Sequence, residues 1–467
     1  MRMSNEPSTA APLPNAFLLI ALALIAPAFP GIAAAQFGAG GVIINPDGLV
    51  EVQPVRRTPA QRTPAQRTPT RRTASRETEL ASEARTISLR RLLRLAADRE
   101  PGSELPPEVR LMAGLLRIDE VVVEAGDVLL VGPAAALRVD ADGQVATAAG
   151  GDLPAFVWLE DLAVALEHVA EGRGRAGCTI DRRPEGLSRL TEYMQRHSQP
   201  TTPARAAARY PQMARALGIQ DIRIFGLPPG SHAAIVTVLA DVKMKRVALG
   251  AEPSGSRQVK SQLALLRPNG NSLQRWWFAP QYEPIAAATN PSQAVYSIRG
   301  PRAKVLAQEE IFASGQVGDA ARTRESTEAF ARLFSRHIDE VAASTPAIRA
   351  LQQLNDCFLV AALLQWHERS RPADAPKLGW DILADLDAAD IPRTSYPVPK
   401  TIESSSTVKR AGRFVVGLLG GVEIHPSSMA TDAGIVPSTQ MPAITRPQDT
   451  WYADPAAGRS GSRSGGE

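Results

Sequence analysis

The stretch Asp221–Gly250, DIRIFGLPPGSHAAIVTVLADVKMKRVALG, decides how this chain folds. Its first residues alternate with the period of a strand, Ile222, Ile224 and Gly226 on one side, Arg223 and Phe225 on the other. Leu227-Pro228-Pro229-Gly230 breaks that strand. Ser231 suits an N-cap, and Ile235, Val238, Leu239, Val242 and the Val247/Ala248 pair recur at three- and four-residue spacing, so a helix follows and Gly250 ends it. A strand that feeds a helix start tends to gather free helix N–H groups and loop side chains around a ligand. Asp241 and Lys245, four apart in the favourable order, read as a surface ion pair worth a few tenths of a kcal/mol.

Working outward, the same periodicities predict helices near Ile87–Ala96, Leu159–Val169, Pro203–Leu217 and from Pro184 onward. A hairpin is expected where Asp119–Glu124 and Asp127–Gly132 flank Ala125-Gly126, and a strand at Cys178–Asp181. Beyond Gly250 come a helix-like piece at Val259–Leu266 and β-like runs at LQRWWFAP, Ala294–Ile298 and Ala303–Ala307, which suggest a local antiparallel meander. One helix is marked by Phe330, Leu333, Phe334, Ile338 and Val341. A second, opened by Pro346, is apolar all round and should be buried. A glycine-bearing strand at Arg413–His425 closes the fold. The sum is an α+β domain over residues 86–430, with a mixed or largely antiparallel sheet, packed helices and room for two lobes.

The ends read differently. Ala16–Ile32 is apolar but too short before Pro27 to span a bilayer, and Ala33 and Ala35 fit a cleavage pattern, so residues 1–35 are expected to be a signal peptide and the protein secreted or periplasmic, with no later membrane span. Residues 36–85 hold a hairpin around Asn45-Pro46-Asp47-Gly48 and the repeat RTPAQRTPAQRTPTRRTASR, whose composition is that of a disordered tether. Seven arginines fall between Arg56 and Arg76, and without them the net charge of +4 becomes −3. The remainder is therefore slightly acidic, which argues against a nucleic-acid partner. Residues 431–467 are expected to be a disordered tail. Cys178 and Cys357 are too few for a disulfide framework, and read either as one bond or as two separately buried thiols.

For chemistry, the six histidines lie apart with no pair at helical spacing, so no metal or cofactor is expected. His232, in the first turn of the central helix, is a candidate general base or an ordinary exposed histidine. Asp181, at a strand end, is a candidate acid or a turn-forming cap before Pro184. In Gln274-Arg275-Trp276-Trp277-Phe278, strand alternation puts Trp276 and Phe278 on one side, Arg275 and Trp277 on the other. If the first pair is buried, Arg275 and Trp277 present a guanidinium and an aromatic face suited to sugar rings or anionic groups. The alternative is a strand buried on both sides with Arg275 in a salt bridge.

GVIINPDG, LPPEVRLMAGLLRIDEVVV, GCTID, LGIQDIRIFGLPPGSH, ADVKMKRVALG, LQRWWFAPQYE, PKTIESSS and GGVEI together resemble a domain-of-unknown-function family of secreted bacterial proteins, number 1598, over roughly Gly41–Pro426. The resemblance implies export and a shared fold, and brings no activity. It also implies an aromatic after Ala240-Asp241, where this chain has Val242. The expectation is a binding or structural component of the periplasm or cell envelope, its partner an envelope polysaccharide or anionic polymer. The alternative is an exported hydrolase using Asp181, His232 and Arg275.

Overall fold

The computed structural model describes residues 80–438 with breaks at 101, 140–144, 147–154, 198–201, 267–272, 314–315, 320–322, 324, 405–406 and 410–412, together with strand segments 42–44 and 50–52. The signal-like stretch, the Arg/Thr/Pro repeat and residues 439–467 lie outside the described residues.

Strands β1 (Val42–Ile44) and β2 (Val50–Val52) pair as the expected hairpin. β3 (Ser82–Ser88) runs directly into α1 (Leu89–Ala97), where the Ser88 side chain caps the helix by accepting from the Arg91 N–H. After α2 (Pro107–Arg110) come β4 (Glu120–Glu124) and β5 (Asp127–Ala134), joined at Ala125-Gly126 as the sequence predicts. The short ribbon β6 (Arg138–Val139) and β7 (Val145–Ala146) precedes α3 (Leu159–Ala170). The central order follows: β8 (Ala176–Arg182), α4 (Pro184–Arg196), α5 (Pro203–Leu217), β9 (Ile219–Phe225) and α6 (His232–Ala248), with Ser231 accepting from the Ala234 N–H as N-cap.

The second half holds α7 (Gln262–Leu265), β10 (Leu273–Gln281), β11 (Ile285–Asn290), β12 (Gln293–Ser297), β13 (Arg302–Ala313) and β14 (Gln316–Asp319). The Phe330–Val341 periodicity belongs to two helices, α8 (Glu325–Arg336) and α9 (Ile338–Ser344), which meet at the non-helical His337. The chain ends with α10 (Pro346–Ser370), α11 (Ile382–Ala389), β15 (Thr401–Glu403), β16 (Thr407–Lys409), β17 (Arg413–Ile424) and β18 (Ile435–Pro437).

These strands build two mixed sheets, and the fold is α+β. One runs β14-β13-β10-β17-β8-β9-β15 with β16 paired to β17, and the other β18-β11-β12-β4-β5-β3. The expected local meander does not form. β10 pairs with β13 and, in parallel, with β17, while β11 and β12 leave for the second sheet and pair with β18 and β4. Local β-propensity marks strands but not their partners, which tertiary packing chooses. β18 also falls inside the stretch read as disordered tail: Ile435 packs in the core, and the strand closes the edge of the second sheet.

Trp276 and Phe278 lie fully buried on the helix-covered face of the first sheet, edge-on to Phe330 and Phe334 of α8. α6 packs on the same sheet and is backed by α10 and α3, so it is buried nearly all round rather than along one stripe. Besides His232, its part-buried residues are Leu239, Val242, Lys243 and Arg246, two of which the spacing assigned to the core. Val242 still packs against core residues. Asp241 and Lys245 are both fully buried, their Oδ2 and Nζ 2.5 Å apart, so the surface pair is in fact a core ion pair. α10 has the length and apolarity to cross a membrane, but here it is a core helix against α3, α6, α9 and β13. Cys178 and Cys357 are separate buried thiols. Burial beside Asp241 pushes the Cys178 thiol up to about 12, so it serves as a small core hydrophobe rather than a nucleophile.

At Gly420 of β17 the backbone sits at φ +128°, and a Cβ there would lie 1.5 Å from the Trp276 carbonyl oxygen. Close approach of β17 to β10 therefore requires glycine at this position.

Candidate functional site

The first sheet has a second face, and pairing fixes which side chains share it. Trp277 of β10 lies beside Gly421 of β17, Gly421 beside Thr179 of β8, and Thr179 beside Arg223 of β9. Along the strands the same face carries Arg275, Asp181 and Phe225, and from β13 Lys304 and Leu306, opposite Ala279 and Trp277. All are part-exposed or exposed. The Arg275 guanidinium carbon stands 5.9 Å from the Trp277 ring centroid, and Arg175, just before β8, stands 4.9 Å from that of Phe225. Two arginine-on-aromatic pairs thus share one sheet face, and Gly421 leaves bare backbone beside the first.

The charges there are unevenly matched. Arg223 is 3.8 Å from Asp181 and Arg175 3.7 Å from Glu423. Arg275 and Lys304 have no ion pair among the described residues. The salt bridge considered for Arg275 is therefore not made within the described structure. Asp181 also accepts a hydrogen bond from Thr179 Oγ1 at 3.2 Å, so it is a member of this face rather than a cap before Pro184.

His232 occupies a different place. Its Nδ1 is 2.8 Å from Oδ2 of Asp161, its ring stacks on Trp158 with centroids 4.3 Å apart, and the Tyr396 ring lies 5.5 Å away. The His232 backbone N–H donates to Glu160 Oε1, and the Thr394 N–H donates to Glu160 Oε2. Glu160 also lines a cleft of about 410 Å³ with Glu167, Asp387, Asp390 and Arg393. His232 is thus not an ordinary exposed histidine: its side chain is only 13 % exposed. Burial alone would depress its imidazole, but the charge and hydrogen bond of Asp161, with Glu160 behind, hold its pKa above the ordinary value. Burial and the neighbouring Asp161 likewise raise the Glu160 carboxyl.

A folded-state pKa raised above the unfolded value of 6.5 contributes stability that is full below that value and is lost as pH rises through the folded one. Urea unfolding across this range is expected to show stability falling as pH climbs above 6.5, and His232→Asn is expected to flatten that slope. An unchanged slope in the variant would assign the effect to another group.

The structure does not bring Asp181, His232 and Arg275 together. Asp181 pairs with Asp221 at the start of β9, whereas His232 follows the far end of that strand beyond Phe225 and the Gly226–Gly230 turn. Arg275 and Asp181 share a face, separated by the width of β17. The partners of His232 were missed because Trp158, Glu160 and Asp161 sit in a helix start that reads as apolar. The visible signal is two adjacent acids on that helix. Arg175 and Phe225 were missed because neither aromatic nor arginine density marks them, yet their alternation with Gly177, Thr179 and Arg223 was legible.

No metal-binding cluster of histidine, cysteine or carboxylate groups occurs among the described residues. Comparison with curated proteins and with solved structures gives no match. The family model described as Protein of unknown function (DUF1598) matches residues 178–262, from β8 to the first residue of α7, so the resemblance carried by the sequence motifs to that family is shown over the strand-and-helix unit at the centre of the fold.

Proposed function

We propose that this is a secreted protein of the periplasm or cell envelope that acts as a non-catalytic binding component, holding an envelope polysaccharide or anionic polymer on the outer face of its larger sheet. The observation that carries the reading is the Arg275–Trp277 pair beside side-chain-free Gly421: an aromatic ring offers a flat apolar surface to the C–H face of a sugar, and the guanidinium adds a charged donor. The signal-like Ala16–Ile32 stretch supports action outside the inner membrane. Calorimetric titration with soluble envelope polysaccharides is expected to detect binding that Trp277→Ala weakens about tenfold or more, the scale of a central aromatic contact. Equal affinity in wild type and variant would remove this face from the function.

A second reading, an exported hydrolase, is favoured by the His232–Asp161 pair alone. A buried carboxylate that orients a histidine is the arrangement a general base needs. Hydrolysis of an envelope polymer that persists in His232→Ala would dismiss it.

A further inference from the structure

We propose that the outer sheet face binds one linear acidic glycan across two platforms, with Trp277, flanked by Arg275 and Lys304, gripping one part of the chain and Phe225 with Arg175 gripping another. This rests on the binding reading above and names its ligand class. Three features point to it.

The first is charge. Lys304 lies opposite Ala279, two residues along β10 from Trp277, and Arg275 lies two residues along in the other direction. Both lack a described ionic partner. A ring bracketed by two cations that make no ion pair among the described residues suits a sugar that carries carboxylate groups better than a neutral one.

The second is spacing. Phe225 lies three strands from β10, through β8 and β17, and one two-residue step along the strand direction from Trp277. Strand separation and rise place the two rings' backbones about 16 Å apart. A disaccharide does not bridge that span and a longer chain does. A single chain that reaches both platforms binds the second at high effective concentration.

The third is the floor between them. Gly421 and Gly177 of adjacent strands contribute no side chains, while Thr179, Asp181 and Arg223 offer hydroxyl, carboxylate and guanidinium groups for sugar hydroxyls. A polyanion without sugar rings would use the cations but not the aromatic faces, so polyphosphate serves as the contrast.

The test uses the full chain and galacturonate oligomers from dimer to octamer, titrated by calorimetry, with polyphosphate of similar charge beside them. The expected result is weak dimer binding, a step of at least about tenfold in affinity once the oligomer reaches both platforms, and weaker binding of polyphosphate. Phe225→Ala and, as a gentler surface change, Arg175→Ala are expected to remove the step in affinity with oligomer length. Trp277→Ala is expected to weaken every length. Binding that rises smoothly with length, or a step that survives both Phe225→Ala and Arg175→Ala, overturns the two-platform proposal while leaving the binding function standing. Polyphosphate binding as tight as the octamer overturns the glycan assignment. Absence of binding to any acidic or neutral polysaccharide overturns the proposed function itself.

Discussion

Lys245→Met is expected to lower the unfolding free energy by about 3–5 kcal/mol at neutral pH, because it strands a carboxylate in the core. Asp241 and Lys245 are both fully buried on α6, and Oδ1 of Asp241 has no hydrogen-bond partner among the described residues. Burial pushes the Asp241 carboxyl up even with Lys245 beside it, so without the ammonium it should bind a proton on folding. The sign follows from linkage. In the variant the native state holds a proton that the unfolded chain releases above its ordinary value of 3.8, so stability falls as pH rises from there. The loss should therefore shrink as pH approaches 4. Asp241→Leu combined with Lys245→Met should recover most of the loss, since a well-packed apolar pair of similar volume replaces a buried ion pair at little cost. Urea midpoints for wild type, both single variants and the double variant over pH 4 to 8 give the measurement. A single variant as stable as wild type at pH 7, or a double variant no better than the single, would show that the pair is not what holds this part of the core.

The same pair shows what a sequence cannot say alone. Four-residue spacing announces that Asp241 and Lys245 meet, and they do, but not that α6 is enclosed by the sheet on one side and by α10 and α3 on others. A helix packed between a sheet and other helices loses the one-sided stripe that periodicity detects, which is why Leu239 and Val242 are less buried than Val236, Ala240 and Met244. Local order was legible throughout the centre: β8, α4, α5, β9 and α6 follow the reading from Pro184, Pro203 and Ser231. The site was half legible. Alternation in RWWF separates buried Trp276 and Phe278 from part-exposed Arg275 and Trp277, since a strand allows only two directions. Strand partnership is long-range, so nothing in that run indicates that Gly421 and Thr179 complete its row or that Phe225 shares its face. His232 illustrates the reverse error. Its position at the helix start was right, yet Asp161, which sets its chemistry, lies on an element 71 residues away.

The second large effect is expected at Arg302, where the two sheets are tied together. Arg302 opens β13 with φ +64°, a conformation that a non-glycine residue adopts only when its surroundings compel it. Its Nε donates to Asp356 Oδ2 at 3.1 Å, while Nη2 donates to Asp119 Oδ1 at 2.6 Å and to the Ile118 carbonyl at 3.1 Å. Asp356, fully buried on α10, accepts in addition from the Tyr282 hydroxyl and the Ile118 N–H. One guanidinium thus fastens the larger sheet, the approach to β4 in the smaller sheet, and the core helix between them. Arg302→Met should cost about 3–5 kcal/mol, because the buried Asp356 carboxylate keeps its place and loses the guanidinium paired with it. Arg302→Lys should recover little, since one ammonium cannot reproduce a planar fork that reaches three groups. Arg302→Gly separates charge from backbone: it relieves the positive φ, so a loss close to that of Arg302→Met would assign the stability to the ion network, and a much smaller loss would assign it to backbone strain. Thermal and urea unfolding of the three variants decide between these accounts, and an Arg302→Met protein as stable as wild type would show that the sheets are held by apolar packing alone.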